Sequence, residues 1–147
     1  MVLEKYQAKR KFNKTSEPKG KVEKGNLSRF VVQKHQSSHL HYDFRLEHEG
    51  VLKSWAVPKG VPEKAGIKRL AVAVEDHPVD YINFSGRIPE GEYGAGTVEV
   101  WDKGKWRALD GSLERGSMKF SLNGEKLKGE YVLIRPKDRE NWLIYKK

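Results

Sequence analysis

From residue 29 onward, hydrophobic and polar positions alternate with a period of two over much of the chain, and no segment sustains the three-to-four spacing of an amphipathic helix. His39-Leu-His-Tyr-Asp-Phe-Arg-Leu-Glu47 is the clearest case. In a strand, Leu40, Tyr42, Phe44 and Leu46 line one face, and His39, His41, Asp43, Arg45 and Glu47 line the other. A second run, Arg69 to His77, sets Leu70, Val72 and Val74 against Arg69, Glu75 and His77, and Arg29-Phe-Val-Val-Gln-Lys-His35 is a third. Strands are expected over roughly 29–35, 39–47, 51–57, 68–76, 96–102, 117–122, 130–135 and 141–146. Turn signals separate them at Glu49-Gly50, Pro58-Lys59-Gly60, Asp102-Lys103-Gly104, Asp110-Gly111 and Asn123-Gly124, the last a strong hairpin dipeptide. Many short strands at this spacing predict an all-β, mainly antiparallel fold. A compact closed barrel of about eight strands is preferred over a sandwich, because closure removes exposed edges.

The first 28 residues read differently. They hold eight basic and three acidic side chains, +5 of the chain's formal +9. Leu3 to Phe12 can form a short helix, but Pro18 and Gly20 stop anything longer. The expected organisation is a basic, partly flexible arm over 1–28 and a barrel domain over 29–147. The arm is expected to supply affinity for a phosphate backbone rather than chemistry, and solvation of a free terminus explains the same composition.

Composition narrows the classes further. At 147 residues the chain suits one domain with a real core, and the absence of cysteine excludes disulfides, thiolate metal sites and a cysteine nucleophile. No apolar run is long enough to span a bilayer and no signal-peptide pattern opens the chain, so a soluble, cytoplasmic monomer with no membrane partner is expected.

Two imidazoles, a carboxylate and a guanidinium on one strand face are groups that bind metals and phosphoryl oxygens, although a polar row facing water satisfies the same alternation. The glycine-rich Ile88-Pro-Glu-Gly-Glu-Tyr-Gly-Ala-Gly96 lacks the Gly-Lys-Ser/Thr ending of a phosphate loop and reads as a tight bend with positive φ. Of the tryptophans at 55, 101, 106 and 142, most are expected in the core, with Trp106 the exception. His41-x-Asp43 with a distant His77 also matches the two-histidine, one-carboxylate arrangement of non-haem iron oxygenases. Arg45, Lys59, Arg69 and the basic arm suit an anionic polymer better. A non-catalytic nucleic-acid-binding barrel would use the basic surface and the aromatics but has no need of His35, Asp43 and His77 together.

Five ordered motifs together carry a specific resemblance: Phe30-Val-Val-Gln-Lys-His35, His41-Tyr-Asp-Phe-Arg-Leu-Glu47, Leu52-Lys-Ser-Trp-Ala-Val-Pro-Lys-Gly60, Val74-Glu-Asp-His-Pro78 and Ile88 through Trp101. The chain resembles the phosphoesterase domain of the multifunctional ligases of bacterial non-homologous end joining, over almost its whole length, and looks like a stand-alone version of it. The resemblance implies a compact β-barrel and a manganese-dependent activity, with Co2+ or Zn2+ as other candidate ions. That activity would heal DNA or DNA/RNA 3′ ends, removing a terminal ribonucleoside as a phosphodiesterase and then the 3′-phosphate as a monoesterase. It also implies His35, Asp43 and His77 as metal ligands, and His41, Arg45, Lys59 and Arg69 as phosphate-contacting or catalytic groups, with Glu75 and Tyr81 in support. End-joining ligase, polymerase or Ku-type proteins are the implied partners. From the residues themselves, two imidazoles and one carboxylate suit a one-metal site, Arg45 is suited to a two-pronged phosphate contact, and His41 to a phosphate donor or a general acid. Metal-bound water and a neighbouring ribose 2′-OH both remain open as nucleophile.

Overall fold

The computed structural model describes residues 3–20 and 28–147. After one short helix, α1 (Glu4–Ala8), come β1 (Arg29–Gln36), β2 (Leu40–His48), β3 (Val51–Val57) and β4 (Lys68–Pro78). A 3₁₀ turn at Val79–Asn83 leads to β5 (Gly86–Ile88), β6 (Gly96–Ser112), β7 (Ser117–Asn123), β8 (Lys128–Ile134) and β9 (Trp142–Lys146). The sheet runs β1-β2-β3-β4-β9-β8-β7-β6-β5, and β1 also pairs with β6, so eight strands close into a barrel and β5 lies outside the ring on β6. The strand pairs are antiparallel, as the alternation predicts.

The barrel wall is buried on both faces where β1, β2 and β3 meet. Phe30, Val32, Phe44, Leu46, Trp55 and Val57 point inward to meet Trp106, Phe120, Tyr131 and Ile144. Their neighbours Val31 and Leu52 point outward into a second cluster with Tyr6, Tyr81, Ile82, Phe84, Ile88 and Val98. Burying these side chains contributes roughly 1.5–3 kcal/mol each. The outer cluster therefore holds residues of the arm and the 3₁₀ turn against the wall, and the outward row of β2 lies beneath them. The arm, expected to be partly flexible, is packed over its described part, with Leu3 and Tyr6 buried and the Tyr6 hydroxyl donating to Pro18 O. The rest of the segment 1–28, residues 1–2 and 21–27, lies outside the described residues.

Two expected turns are strand. Asp102-Lys103-Gly104 and Asp110-Gly111 both fall within the 17-residue β6. Gly104 serves a close approach rather than a turn: a Cβ there would lie 2.1 Å from Asn123 O. Asp102 is buried and accepts the backbone N–H groups of Glu125 (2.9 Å), Lys126 (3.2 Å) and Leu127 (2.8 Å), fixing the loop after Asn123. Trp106, expected outside the core, is buried because β6 continues past it, and its Nε1 donates to Glu47 O at 3.0 Å. Trp101 is the tryptophan that stays half-exposed, with the Lys126 ammonium 4.6 Å from its ring.

In β4 the simple alternation breaks. Ser54 pairs with Val74 and Leu52 with His77, so β4 advances three residues where β3 advances two. Such a bulge reverses the parity of every residue beyond it. Before it, Ala71 is the buried, inward member and Leu70 is exposed, contrary to the expected Leu70/Val72/Val74 core face. After it, His77 joins the outer face on which Val74 stands. Arg69 and His77, expected on one face, are therefore on opposite sides of the wall.

Candidate active site

From Asp43 to Glu47 the outward row of β2 faces away from water. Asp43 is 6% exposed, Arg45 3% and Glu47 1%, and each is paired. Glu47 is held by the Arg29 guanidinium at 2.8 and 3.1 Å at the far end of the strand. Asp43 and Arg45 line a cavity of about 230 Å³ with Arg10, His35, His41, Glu75, His77, Tyr81, Tyr93 and Gly94.

The imidazoles are oriented by backbone carbonyls. His35 Nε2 lies 2.7 Å from Gly94 O, and a carbonyl oxygen only accepts, so the proton sits on Nε2 and the Nδ1 lone pair faces Asp43 Oδ2 at 3.4 Å. His41 repeats the arrangement: Nδ1 donates to His39 O at 3.1 Å, and Nε2 faces Asp43 Oδ1 at 3.3 Å. Neutral imidazoles would thus aim two lone pairs at one carboxylate, an arrangement that requires a cation between them, a second ring proton or a metal ion. The hydrogen bond with Asp43 accordingly raises the His41 pKa. Burial opposes ionisation of Asp43, but Arg45 and the two imidazoles outweigh it and hold the carboxyl far below the usual carboxylate range. Donor atoms of His35, His41 and Asp43 lie within 4.8 Å of one another, and carbonyl-fixed ring tautomers are the usual support of metal-ligating histidines. The residues fit a divalent ion.

His77 stands apart from this trio. Its Nδ1 donates to Glu75 O at 2.9 Å, and its Nε2 accepts from Arg10 Nη2 at 3.3 Å, so the lone pair a metal would need is already engaged. Burial, with Arg45 and Arg10 nearby, pushes its pKa well below the ordinary value and keeps the ring neutral. The three-donor cluster therefore contains His41 where the motif reading placed His77.

Arg45 donates from Nε to Gln33 Oε1 at 2.7 Å, lies 3.4 Å through Nη2 from Asp43 Oδ2, and sits over the Tyr81 ring at 4.9 Å. Its Nη1 is buried with no hydrogen-bond partner among the described residues. A buried guanidinium nitrogen left unpaired is costly, and its place on a cavity wall marks where an anionic oxygen would bind. With two of three nitrogens engaged, one prong remains rather than two. Lys59 and Arg69 do not line the cavity. Lys59 is exposed, and Arg69, on the inward parity of β4, donates to Lys59 O at 2.7 Å and Gly60 O at 3.0 Å.

Arg10 and Glu17, from the arm, were not anticipated. Arg10 donates from Nε to Glu17 Oε2 at 2.9 Å and from Nη1 to Glu75 Oε2 at 3.3 Å, with its guanidinium 4.0 Å from the Tyr6 ring centre. The Tyr81 hydroxyl donates to Glu17 Oε2 at 2.5 Å. Burial opposes the Glu75 charge, but Lys9 and Arg10 overcome it and lower its pKa. Nothing periodic marks Arg10 or Glu17 in the sequence. Gln33 was within reach, because it shares the β1 face of His35 two residues on. The glycine-rich loop is the tight bend expected, with Gly91, Gly94 and Gly96 at φ 86°, 75° and 138°, and through Gly94 it also holds His35.

Residues 33–135 match the family described as the DNA ligase D 3′-phosphoesterase domain. The chain is 52% identical, over 98% of its length, to the multifunctional non-homologous end joining protein LigD of Pseudomonas aeruginosa, and 44% identical over 96% to that of Mycolicibacterium smegmatis. A Mycobacterium tuberculosis LigD, a multifunctional non-homologous end joining DNA repair protein, is 41% identical over 98% of the chain. The chain spans about a fifth of these relatives' lengths, 18%, 20% and 19%.

Proposed function

The chain belongs to the DNA ligase D 3′-phosphoesterase domain family, and from that membership and the cavity geometry we propose that it is a divalent-metal-dependent hydrolase that heals 3′ ends of DNA or DNA/RNA strands for end joining. It removes a terminal ribonucleoside as a phosphodiesterase and a 3′-phosphate as a monoesterase, leaving a 3′-OH. The observation that carries this reading is one buried carboxylate, Asp43, faced by two imidazole lone pairs and set beside the unpartnered Nη1 of Arg45. Such a pocket is built for a cation and an anion together. Manganese suits the nitrogen and oxygen donors, as do cobalt and zinc.

His35, His41 and Asp43 would hold the ion, which when bound supplies Lewis-acid polarisation of a phosphoryl oxygen. The rest is done by the protein's own groups. Arg45, fixed by Gln33 and Asp43, presents Nη1 to a non-bridging oxygen. Arg10, locked by Glu17, Glu75 and His77, adds a second positive charge over the same cavity, where negative charge accumulates during phosphoryl transfer. His77, held neutral by its burial, orients Arg10 through Nε2. Lys59, on the loop that Arg69 braces from β4, and Arg69 itself are assigned to the nucleic-acid backbone outside the cavity. The two-histidine, one-carboxylate set also occurs in non-haem iron oxygenases, but two guanidinium groups around the cavity favour an anionic substrate.

The test is release of labelled phosphate and of a labelled terminal ribonucleoside from 3′-modified duplex ends, using protein stripped of metal and then resupplied with manganese. Both products should appear only on resupply and vanish in Asp43→Ala with the barrel still folded by circular dichroism. Release unaffected by stripping, or retained in Asp43→Ala, would overturn the reading.

A further inference from the structure

Among the described residues, Tyr93 is the one aromatic on the cavity wall that the chemistry above does not use. The other two aromatic side chains near the guanidinium groups, Tyr6 and Tyr81, are buried, whereas Tyr93 is 48% exposed. Its position is tightly set. Gly91 and Gly94, both in the left-handed region, bend the loop on either side of it, and turn hydrogen bonds join Glu92 N to Pro89 O at 3.2 Å and Ala95 N to Glu92 O at 3.1 Å. The next residue, Gly94, gives its carbonyl to His35 at 2.7 Å, so the ring stands one residue from a group in contact with the proposed metal trio. Arm cations attend it: the Lys9 ammonium lies 4.7 Å from the ring centre and 3.4 Å from the hydroxyl, and the Arg10 guanidinium carbon lies 5.3 Å from the centre.

We propose that Tyr93 is a nucleobase platform: the base of the 3′-terminal nucleoside stacks on its exposed ring surface while the adjoining phosphate enters the cavity. The proposal rests on the phosphoesterase reading, and deepens it by naming a subsite. A planar apolar surface held at the mouth of an anion-binding cavity suits a ligand whose planar apolar part is joined to its phosphate by a single sugar. Every base offers a π-face, so the contact adds affinity without choosing sequence. A merely structural role is docking of the arm through Lys9 and Arg10. The two roles differ in one respect: stacking depends on the base, whereas docking does not.

The experiment compares two duplex substrates, one ending in an ordinary 3′-terminal ribonucleoside and one ending in an abasic ribose, with wild type, Tyr93→Ala, Tyr93→Phe and Tyr93→Trp. Equilibrium binding is measured in chelator, and KM and kcat with manganese. Wild type should bind the base-bearing end roughly tenfold more tightly than the abasic end. Tyr93→Ala should lose that preference and raise KM about tenfold on the base-bearing end alone, with kcat within a few-fold. The Phe and Trp variants should keep the preference. Equal weakening of both ends by Tyr93→Ala, or a base preference surviving in it, would refute the platform. A wild-type preference that Tyr93→Ala abolishes, without turnover of either end, would instead overturn the phosphoesterase reading and leave the subsite standing.

Discussion

Arg45 shows how much of a residue's role depends on what already holds it. With Nε on Gln33 and Nη2 near Asp43, it delivers a single nitrogen to the cavity from a fixed position. Arg45→Lys should therefore lower kcat by about a hundredfold or more, since an ammonium's donors all radiate from one nitrogen and cannot span Gln33, Asp43 and a substrate oxygen as the planar fork does; wild-type turnover in that variant would remove Arg45 from the site. Gln33→Leu should reproduce part of the loss without touching substrate. A second expectation concerns protons. The Asp43 contact raises the His41 pKa in the metal-free protein, so protons compete with a metal for Nε2 to a pH above the ordinary value of about 6.5. Manganese affinity, followed by calorimetry between about pH 6 and 8.5, should rise with pH through that raised pKa, and a flat profile would exclude His41 as ligand.

Among the elements, the N-terminal segment changes character most. Its +5 charge suggested an arm that adds affinity only, but Tyr6 and Glu17 are buried, and the Arg10 side chain lines the cavity and reaches Glu75 and His77. Protein lacking residues before Leu27 should lose turnover at saturating substrate by roughly a hundredfold, the scale of removing one charged donor to developing charge. Retained kcat with a raised KM would restore the affinity-only role. The β4 bulge matters as much, because it alone brings His77 to the wall face that carries Asp43. β6 owes its length to Gly104, which lets it pass Asn123; Gly104→Ala should cost about 1–3 kcal/mol in urea unfolding, because the added methyl meets backbone rather than a side chain that can move aside.

At the scale of the whole molecule, barrel closure through β1 and β6 and the outer cluster together bury ionised groups that a half-exposed sheet would leave in water. Their carboxylates make stability depend on pH. Glu75 has its folded pKa lowered against burial by Lys9 and Arg10, so its contribution is present above the unfolded value of about 4.3 and is lost as pH falls through the folded one. Asp43 acts in the same direction. Thermal stability should therefore fall between about pH 5 and 3, and Glu75→Gln should be less stable at neutral pH yet show a shallower acid decline. An identical acid slope in wild type and variant would show that the Glu75 pairing carries no linkage.

The alternation in the sequence determined the strands, the antiparallel barrel and the two rows of β2, because period-two patterning is a local property of a half-buried strand. It also picked out His35, His41, Asp43, Arg45, Glu75 and His77, to which the family resemblance added Tyr81, and all seven line one cavity. Tertiary structure decided what alternation could not carry. A bulge inserts one residue and reverses facing, so Arg69 left the face that His77 entered. Which imidazoles meet Asp43 depended on the carbonyls that fix each ring, contributed by Gly94, His39 and Glu75 from separate places in the chain. Arg10 and Glu17 acquired their roles only when the barrel wall offered Glu75, His77 and Tyr81 as partners, and a contact across more than 60 residues leaves no trace in local pattern.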